Sequence, residues 1–226
     1  MTVEKLKIQN LSEEDYWDYE NGFHWFSHPT RLGRFMAHYH LYNEIVDLPG
    51  DVFELGVYKL VSLIHFATFR RFLENDFSRK IIGFDAFGKF PRNDIRREAD
   101  LQFISQWESE GGDGISIEEA NMIIKRKGFD NIDLVLGDVR NSLPTFLDSR
   151  PEVRISLLHL DMDVAEPTKL GLDLLYEKVV PGGIIMIDDY TTVLGATEVI
   201  DKFVKFHNLE ILKLPFYSTP SFIKKT

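Results

Sequence analysis

Acidic side chains recur in this sequence directly after short apolar segments. The segments read VFELG, IIGFD, LVLGD, LHLDMD and MIDDY, and their acids are Glu54, Asp85, Asp138, Asp161, Asp188 and Asp189. If each segment is a strand of one parallel sheet, its acid lies at the carboxyl edge, where such sheets bind ligands. A single acid after a strand is ordinarily solvated or caps a helix. Five consecutive strands that end in a carboxylate indicate a shared binding edge.

The first acids suit the parts of a nucleoside. Asp85 is placed to accept hydrogen bonds from both ribose hydroxyls, because an ionised carboxylate only accepts; the alternative is a turn-forming aspartate. Asp138 could accept from an adenine amino group, or it could cap the helix that follows. Gly56 lets the backbone pass close to a ligand because it has no Cβ. These features predict a nucleoside cofactor.

The remaining acids suggest a metal. Asp161, Asp188 and Asp189 would meet at the middle of the edge, with no basic residue in either motif. Three oxygen donors in a chain without cysteine favour a hard cation such as Mg²⁺. The alternative is a group of helix caps that holds no metal. His159 lies inside an apolar segment and is expected to be a core residue rather than a ligand.

The elements that position these acids alternate along the chain. Apolar segments predict strands at 51–56, 80–85, 131–137, 154–161 and 183–188, and amphipathic patterns predict helices at about 58–74, 116–127, 142–148, 166–178 and 195–207. Such alternation gives a doubly wound, mostly parallel, Rossmann-like α/β sheet. The last residues, LEILKLPFYSTPSFIKK, read as two further strands, antiparallel as in a hairpin.

The sequence predicts one domain over 1–226. Residues 1–48 are expected to form an N-terminal helical segment, with two or three helices over 12–47, and 49–226 the cofactor-binding core. Residues 92–115, polar and containing Gly111, Gly112 and Gly114, interrupt the alternation, so they predict an insertion that acts as a lid or substrate wall. The aromatic N-terminal helices either cover the sheet or support a homo-oligomer.

Composition narrows the function classes. The chain has 226 residues, a formal charge of −10 and no cysteine, which excludes disulfides, thiolate metal sites and cysteine nucleophiles. The acidic surface disfavours nucleic acid and anionic membranes as partners. The first twenty residues are unlike a signal peptide, and no apolar run reaches the roughly 18 residues of a membrane span. We therefore expect a soluble, cytoplasmic protein. The G-x-S-x-G elbow, the P-loop and G-x-G-x-x-G after the first strand are absent.

The motifs resemble those of a known family. DVFELGVYK, IGFDAFGKFP, LHLDMDV and VPGGIIMIDDY, spread over about residues 30–205, resemble the macrocin O-methyltransferase family. The resemblance implies a class I methyltransferase fold, S-adenosylmethionine as cofactor, and methylation of a hydroxyl on a sugar or glycoside. The last two motifs together carry most of its specificity.

The resemblance also assigns roles to residues. It gives Glu54 and Gly56 the methionine end of the cofactor, Asp85 the ribose and Asp138 the adenine. Neighbouring residues complete the implied cofactor contacts: Tyr58, Ser62, Ala86, Phe87, Val139 and Asp161. It makes Asp161, Asp188 and Asp189 ligands of a divalent cation, and Asp161 the general base.

Two positions depart from the family pattern. Leu60 and Val61 stand where the family usually has two glycines that let the cofactor's carboxylate approach, so a leucine there would either weaken cofactor binding or reroute the loop. Ala165 stands where an aromatic residue is common, which leaves one wall of the pocket in question.

The favoured function is a metal-dependent O-methyltransferase for a sugar hydroxyl. A catechol-type O-methyltransferase uses a similar metal site, and a flat pocket with aromatic walls would favour it. A nicotinamide dehydrogenase lacks its glycine motif here. The alternative from another class is a non-catalytic module that binds adenosyl ligands, which Leu60 supports.

Overall fold

The structure is a computed structural model that describes residues 5–93 and 95–226. Residues 1–4 of the predicted N-terminal segment and residue 94 of the predicted insertion lie outside the described residues. The strands are β1 (Lys7–Ile8), β2 (Leu11–Ser12), β3 (Asp51–Leu55), β4 (Ile81–Asp85), β5 (Ile132–Leu136), β6 (Ile155–Leu160), β7 (Val179–Ile187) and β8 (Ser221–Lys224). The helices are α1 (Tyr16–Phe26), α2 (Thr30–Asn43), α3 (Val61–Leu73), α4 (Glu98–Gly111), α5 (Ile117–Arg126), α6 (Val139–Ser149), α7 (Ala165–Leu175) and α8 (Leu194–His207). Short 3₁₀ turns cover Glu13–Asp15 and Tyr176–Lys178.

The main sheet has the order β5-β4-β3-β6-β7-β8, parallel except for β8, which pairs antiparallel with β7. The chain runs outward from β3 through β4 to β5, then returns to β6 on the other side of β3. The strand order therefore reverses between β3 and β6, and open α/β sheets bind ligands at such a point. This confirms the predicted doubly wound fold with an antiparallel C-terminal strand.

Alternate residues of the strands pack into two hydrophobic cores, one on each face of the sheet. Val52, Ile81 and Leu157 face a cluster that includes residues of α2, α3 and α5, whereas Phe53, Ile82 and Leu158 face one that includes residues of α6, α7 and α8. Because a strand turns successive side chains to opposite faces, near-continuous apolar segments indicate helices on both sides. The buried pattern of the sequence therefore matches the three-layer arrangement.

Several boundaries differ from the sequence prediction. Helix α3 starts at Val61 rather than 58, because Tyr58 and Leu60 have positive φ angles of 50° and 67°. Helix α6 starts at Val139, since Asp138 caps it by accepting from the Arg140 N–H. The second C-terminal strand is reduced to an isolated bridge between Leu212 and Phe222. The insertion contains α4, which was not predicted, and the β1–β2 hairpin was also missed.

The aromatic residues of α1 are largely exposed, with Trp25 71% and Phe26 84% accessible. They therefore do not cover the sheet, and the predicted homo-oligomer stays a prediction. Among the described residues, every helix is too short or too polar to cross a membrane. The cytoplasmic location likewise stays a prediction.

Candidate active site

A cavity of about 600 Å³ lies at the carboxyl edge of the sheet. Backbone hydrogen bonds extend the strand ladders by one residue, linking Gly137 to Asp85, Gly56 to Phe84, Asp161 to Leu55 and Asp188 to Leu160. The strand order therefore sets Asp138, Asp85, Gly56, Asp161 and Asp188 in sequence along one edge. Most predicted site residues line the cavity: Gly56, Tyr58, Ser62, Asp85, Ala86, Asp138, Val139, Asp161, Asp188 and Asp189. Glu54 and Phe87 are not among the described lining residues.

Gly56 is required by the crossing of two chain segments. Its φ is +92°, and a Cβ built on it would lie 1.8 Å from the Asp161 carbonyl oxygen. The close approach predicted for this glycine is therefore to the backbone of Asp161. Gly56 brings the end of β3 against the end of β6, so the loop after β3 and the Asp161 segment share one corner of the cavity.

Leu60 adopts the left-handed conformation that glycine favours, with φ 67° and ψ 3°, and ends the loop at the start of α3. Its side chain is fully buried in the core and does not belong to the described cavity lining. The leucine side chain points into the protein, in a backbone conformation that favours glycine. The effect of Leu60 on cofactor binding stays a prediction.

Substitution of Leu60 tests this conformation. We expect Leu60→Gly to lower the free energy of unfolding by up to about 4 kcal/mol, because lost burial of about 2–5 kcal/mol is offset only in part by relief of about 1–2 kcal/mol of left-handed strain. Leu60→Ala loses most of the same burial, since it retains only the Cβ, and it keeps the strain, so it should be less stable than the glycine variant. Urea unfolding of both variants measures the difference. An alanine variant as stable as the glycine variant would contradict the left-handed assignment.

Glu54 lies behind the cavity rather than in it. Its carboxylate is fully buried, accepts a hydrogen bond from the Ser62 hydroxyl, and lies 3.1 Å from His159 Nδ1 through Oε1. Burial acts to lower the pKa of His159, but the neighbouring carboxylates of Asp188 and Glu54 raise it above its usual value. The buried imidazole of His159 is thus the basic neighbour of the buried Glu54 carboxylate. The predicted contact of Glu54 with the cofactor stays a prediction.

Asp85 organises the loops on either side of β4. Its Oδ2 accepts from the backbone N–H groups of Val57 and Tyr58 at 2.8 and 2.9 Å, and its Oδ1 accepts from Phe87 at 2.6 Å. Each carboxylate oxygen has two lone pairs, so Oδ2 is filled and Oδ1 has one free. Asp85 can therefore accept one further hydrogen bond from a ligand in the cavity.

Asp138 both caps a helix and forms an ion pair. It accepts from the backbone N–H of Arg140, and the Arg140 guanidinium also binds its carboxylate, with Nε 2.9 and 3.0 Å from the two oxygens. The hydrogen bonds from Arg140 lower the pKa of Asp138, against the opposing effect of burial. Asp138 caps helix α6 and also lines the cavity, so its position is compatible with both predicted roles, as a helix cap and as a contact of the cofactor.

A cation from the N-terminal segment meets the acids at the middle of the edge. Arg34, on α2, places Nη2 2.8 Å from Asp161 Oδ2 and 3.2 Å from Asp188 Oδ2. Burial and then repulsion from Asp188 raise the pKa of Asp161. Burial also acts to raise the pKa of Asp188, but His159 and Arg34 lower it overall. The Arg34 guanidinium thus bridges two carboxylates whose pKa values are displaced in opposite directions, upward for Asp161 and downward for Asp188.

The predicted metal ligands divide into two sets. Oxygens of Asp161, Asp163 and Asp189 lie within 4.8 Å of one another, while Asp188 groups instead with His38 and His159. Burial, followed by like charge nearby, raises the pKa of both Asp163 and Asp189, as expected for carboxylates that converge without a counter-ion. The donor set of three carboxylates fits a hard divalent cation. Asp163 was quoted in its motif but not assigned.

Helix α4 forms the wall of the cavity opposite the sheet and is fastened at both ends. Near its start, the buried Asp100 accepts from the backbone N–H of Ala165 at 3.0 Å. At its end, the Gly111 carbonyl accepts from the Tyr58 hydroxyl and the Lys59 ammonium, each at 2.6 Å. Hydrogen bonds therefore hold the helix of the insertion against the rest of the protein at both ends. Ala165, the second position that departs from the family pattern, donates its backbone N–H to Asp100 and is not among the described residues that line the cavity.

Three residues of the cavity lining were not predicted from the sequence: Arg34, Phe103 and Trp107. Arg34 lies 127 residues before Asp161 in a helix without a recognisable motif, so only the folded structure brings them together. The aromatic wall residues Phe103 and Trp107 lie on α4, where their rings are stacked with centroids 6.4 Å apart. Their spacing of four residues, next to Leu101 and Ile104, was a signal of a helix with a buried face.

Known proteins resemble this chain in sequence and in fold. Over 145 residues the chain is 28% identical to the 8-demethyl-8-(2,3-dimethoxy-alpha-L-rhamnosyl)-tetracenomycin-C 4'-O-methyltransferase of Streptomyces olivaceus, a match that covers 63% of this chain and 54% of that protein. The chain thus matches about half the length of this curated relative.

Two solved structures share the fold. The O-methyltransferase NovP superposes with a TM-score of 0.74 at 19% identity, over 85% of this chain and 79% of that chain. The calicheamicin methyltransferase CalS11 gives 0.69 at 23% identity, over 96% and 86%. The model of the macrocin O-methyltransferase family matches residues 32–214, which span most of α2, the β3–β7 core and most of the cavity lining. With most of its length matched by this model, the chain belongs to the macrocin O-methyltransferase family.

Proposed function

We propose that this protein is an S-adenosylmethionine-dependent O-methyltransferase that methylates a hydroxyl of a sugar or sugar-containing small molecule. The observation that carries the proposal is one cavity with two halves: loops suited to a nucleoside at Asp85 and Asp138, and a group of carboxylates at Asp161. The family match supports the reaction class. The names of two similar proteins support a sugar acceptor: one is a rhamnosyl-tetracenomycin O-methyltransferase and the other a TDP-rhamnose 3'-O-methyltransferase.

The cofactor would lie along the β3–β5 half of the edge. The free lone pair of Asp85 Oδ1 suits a ribose hydroxyl, and Asp138 is placed one strand further out for the adenine. The first N–H groups of α3, at Val61 and Ser62, have no intrahelical acceptor and line the cavity. A helix N-terminus attracts anions, so these N–H groups suit the carboxylate of the methionine moiety.

The protein's main task in this reaction is positioning. S-adenosylmethionine, when bound, supplies an electrophilic methyl group for in-line attack by the acceptor oxygen. Orienting the two reactants can contribute about 7–11 kcal/mol of the barrier. Asp161 would accept the proton of the attacking hydroxyl, because its raised pKa suits a general base near neutral pH. The stacked rings of Phe103 and Trp107 would exclude water from one side.

We further propose that a divalent cation such as Mg²⁺ assists this step. Asp161, Asp163 and Asp189 would hold it, since their oxygens lie within 4.8 Å of one another and burial and like charge raise the pKa of Asp189; Asp188 is the further ligand that the resemblance implies. The ion would supply Lewis-acid chemistry, which lowers the pKa of a bound hydroxyl. Asp188 is paired with Arg34 in this structure, so its participation requires a rearrangement.

One observation favours a second candidate, the catechol-type O-methyltransferase. Phe90, Phe103 and Trp107 line the cavity and give it an aromatic side that suits a flat acceptor. The carboxylates and Arg31 on other parts of the lining favour the polar acceptor that we propose. A non-catalytic relative would bind the cofactor but transfer no methyl group.

Calorimetry with S-adenosylmethionine and S-adenosylhomocysteine tests the cofactor, and we expect both to bind. Methyl transfer from labelled cofactor is then assayed against nucleoside diphosphate sugars, simple glycosides and catechols. Transfer to a sugar hydroxyl supports the proposal, and transfer confined to catechols supports the second candidate. Binding without transfer to any member of a broad panel leaves the non-catalytic relative. Absence of cofactor binding by a folded protein would refute all three.

Removal of the Asp85 carboxylate is expected to weaken binding of S-adenosylmethionine by about 1.5–3 kcal/mol, the range for a hydrogen bond to a charged group. Asp85→Ala also frees three backbone N–H groups in the loops, so the melting temperature should fall as well. Calorimetry measures the affinity. Asp133→Ala is the matched control, because this aspartate on β5 pairs with Lys80 and is not among the described cavity residues. Unchanged affinity in a folded Asp85→Ala variant would rule out the ribose contact.

A further inference from the structure

Arg34 fills the space between two carboxylates to which the sequence assigned a metal. A single guanidinium nitrogen, Nη2, lies 2.8 Å from Asp161 Oδ2 and 3.2 Å from Asp188 Oδ2. The side chain is mostly buried, with 18% of its surface exposed. A Mg²⁺ ion bound by the same two oxygens would lie about 2.0–2.1 Å from each. The ion and Nη2 would therefore occupy overlapping positions.

The contacts of Asp188 support the same conclusion. Its Oδ2 faces Arg34, while its Oδ1 lies 4.0 Å from Nε2 of the buried His159. A divalent cation that binds Asp188 must therefore compete with the Arg34 guanidinium. Asp163 and Asp189, by contrast, form no ion pair with any of the described residues.

We propose that Arg34 is the built-in counter-ion of Asp161 and Asp188, and that it and a divalent cation bind this pair in mutual exclusion. Arg34 thereby sets the metal affinity of the site and holds the two acids in place when no metal is bound. The inference rests on the proposed metal dependence of the reaction. It makes Arg34 a positioning residue, one that acts through Asp161 and Asp188.

The chain offers a matched control for the charge. Arg31 lies one turn earlier on α2 and also lines the cavity, but none of the ion pairs formed within residues 5–93 and 95–226 involves it. Arg31→Gln and Arg34→Gln remove the same charge from the same helix. Only the second removes a group in contact with the carboxylates, so a difference between the variants reports on the contact.

Titration of the 226-residue chain with Mn²⁺ tests the proposal. Calorimetry and electron paramagnetic resonance of the free ion both measure the affinity. We expect Arg34→Gln to bind Mn²⁺ at least about tenfold more tightly than the wild type, since removal of a contacting charge is worth at least that factor. Arg31→Gln should change the affinity less than about threefold, because its charge is further away and screened. Without metal, Arg34→Gln should melt at a lower temperature, and added Mn²⁺ should restore most of the loss.

Equal Mn²⁺ affinity of wild type and Arg34→Gln would overturn the proposal, as would an equal gain in Arg31→Gln. If the glutamine variant does not fold without metal, Arg34→Met takes its place, because it also removes the charge but keeps the apolar stem packed. Equal Mn²⁺ affinity of Arg34→Met and the wild type would overturn the proposal. S-adenosylmethionine binding is measured on the same samples. Cofactor binding with no Mn²⁺ binding in any form would refute the metal site and Arg34's role, but leave the cofactor assignment intact.

Discussion

Asp161→Asn is expected to lower the rate of methyl transfer by about 10²–10⁴-fold, the usual contribution of a general base. Asparagine keeps the size of the side chain but cannot take up the proton of the acceptor hydroxyl. It also removes one of the two negative charges that hold Arg34. We expect the fold to persist, because the backbone of residue 161, rather than its side chain, forms the contact with Gly56.

The measurement is single-turnover transfer of labelled methyl to the acceptor found in the panel above, with cofactor affinity determined in parallel. Asp173→Asn serves as control, because this aspartate pairs with Lys169 on the exposed side of α7. A normal rate in Asp161→Asn would show that another group takes the proton. A loss of rate explained entirely by weaker cofactor binding would assign Asp161 to cofactor contacts instead.

Gly56→Ala is expected to have the largest effect on stability. The added Cβ would lie 1.8 Å from the carbonyl oxygen and 2.7 Å from the carbonyl carbon of Asp161, and both are backbone atoms that cannot rotate away. The φ of +92° adds strain for any residue with a side chain. Together these effects should cost at least about 3 kcal/mol, a large part of the 5–15 kcal/mol that stabilises a typical domain.

Urea unfolding and the melting temperature report this loss. Gly88→Ala is the control, since a Cβ at Gly88 would meet no heavy atom within 4 Å. We expect the control to change the free energy of unfolding by less than about 1 kcal/mol. If Gly56→Ala were as stable as the control, the ends of β3 and β6 could not be in the contact described here.

The sequence predicts the strands of this fold well because the sheet is buried on both faces. Segments such as ISLLHL have no polar face, so their type and order can be inferred without knowledge of their neighbours. Parallel strands then fix which ends meet, which explains why acids as distant as Asp85 and Asp188 could be assigned to one edge. Of the ten cofactor residues that the family resemblance implies, eight line the cavity.

The contacts that sequence reasoning missed depend on side-chain packing between distant segments. The pairing of Arg34 with Asp161 follows from how α2 docks beside α3, and no local pattern encodes that docking. Leu60 shows a different limit. Propensity treats a leucine as unsuited to a left-handed turn, but full burial of its side chain offsets the strain. The role of Glu54 is limited in the same way, since the buried partner His159 on β6 was predicted only as a core residue.

On the proposed function, the fastening of α4 at its two ends would separate recognition of the acceptor from the chemistry. Asp100 anchors the helix beside the start of α7, and Gly111 anchors it to the loop at Tyr58, while Phe103 and Trp107 between them line the cavity. Substitutions at 103 and 107 would then leave the contact of Arg34 with Asp161 intact. Gene duplication followed by drift at these two positions would give enzymes that share one catalytic centre and differ in the molecules they modify.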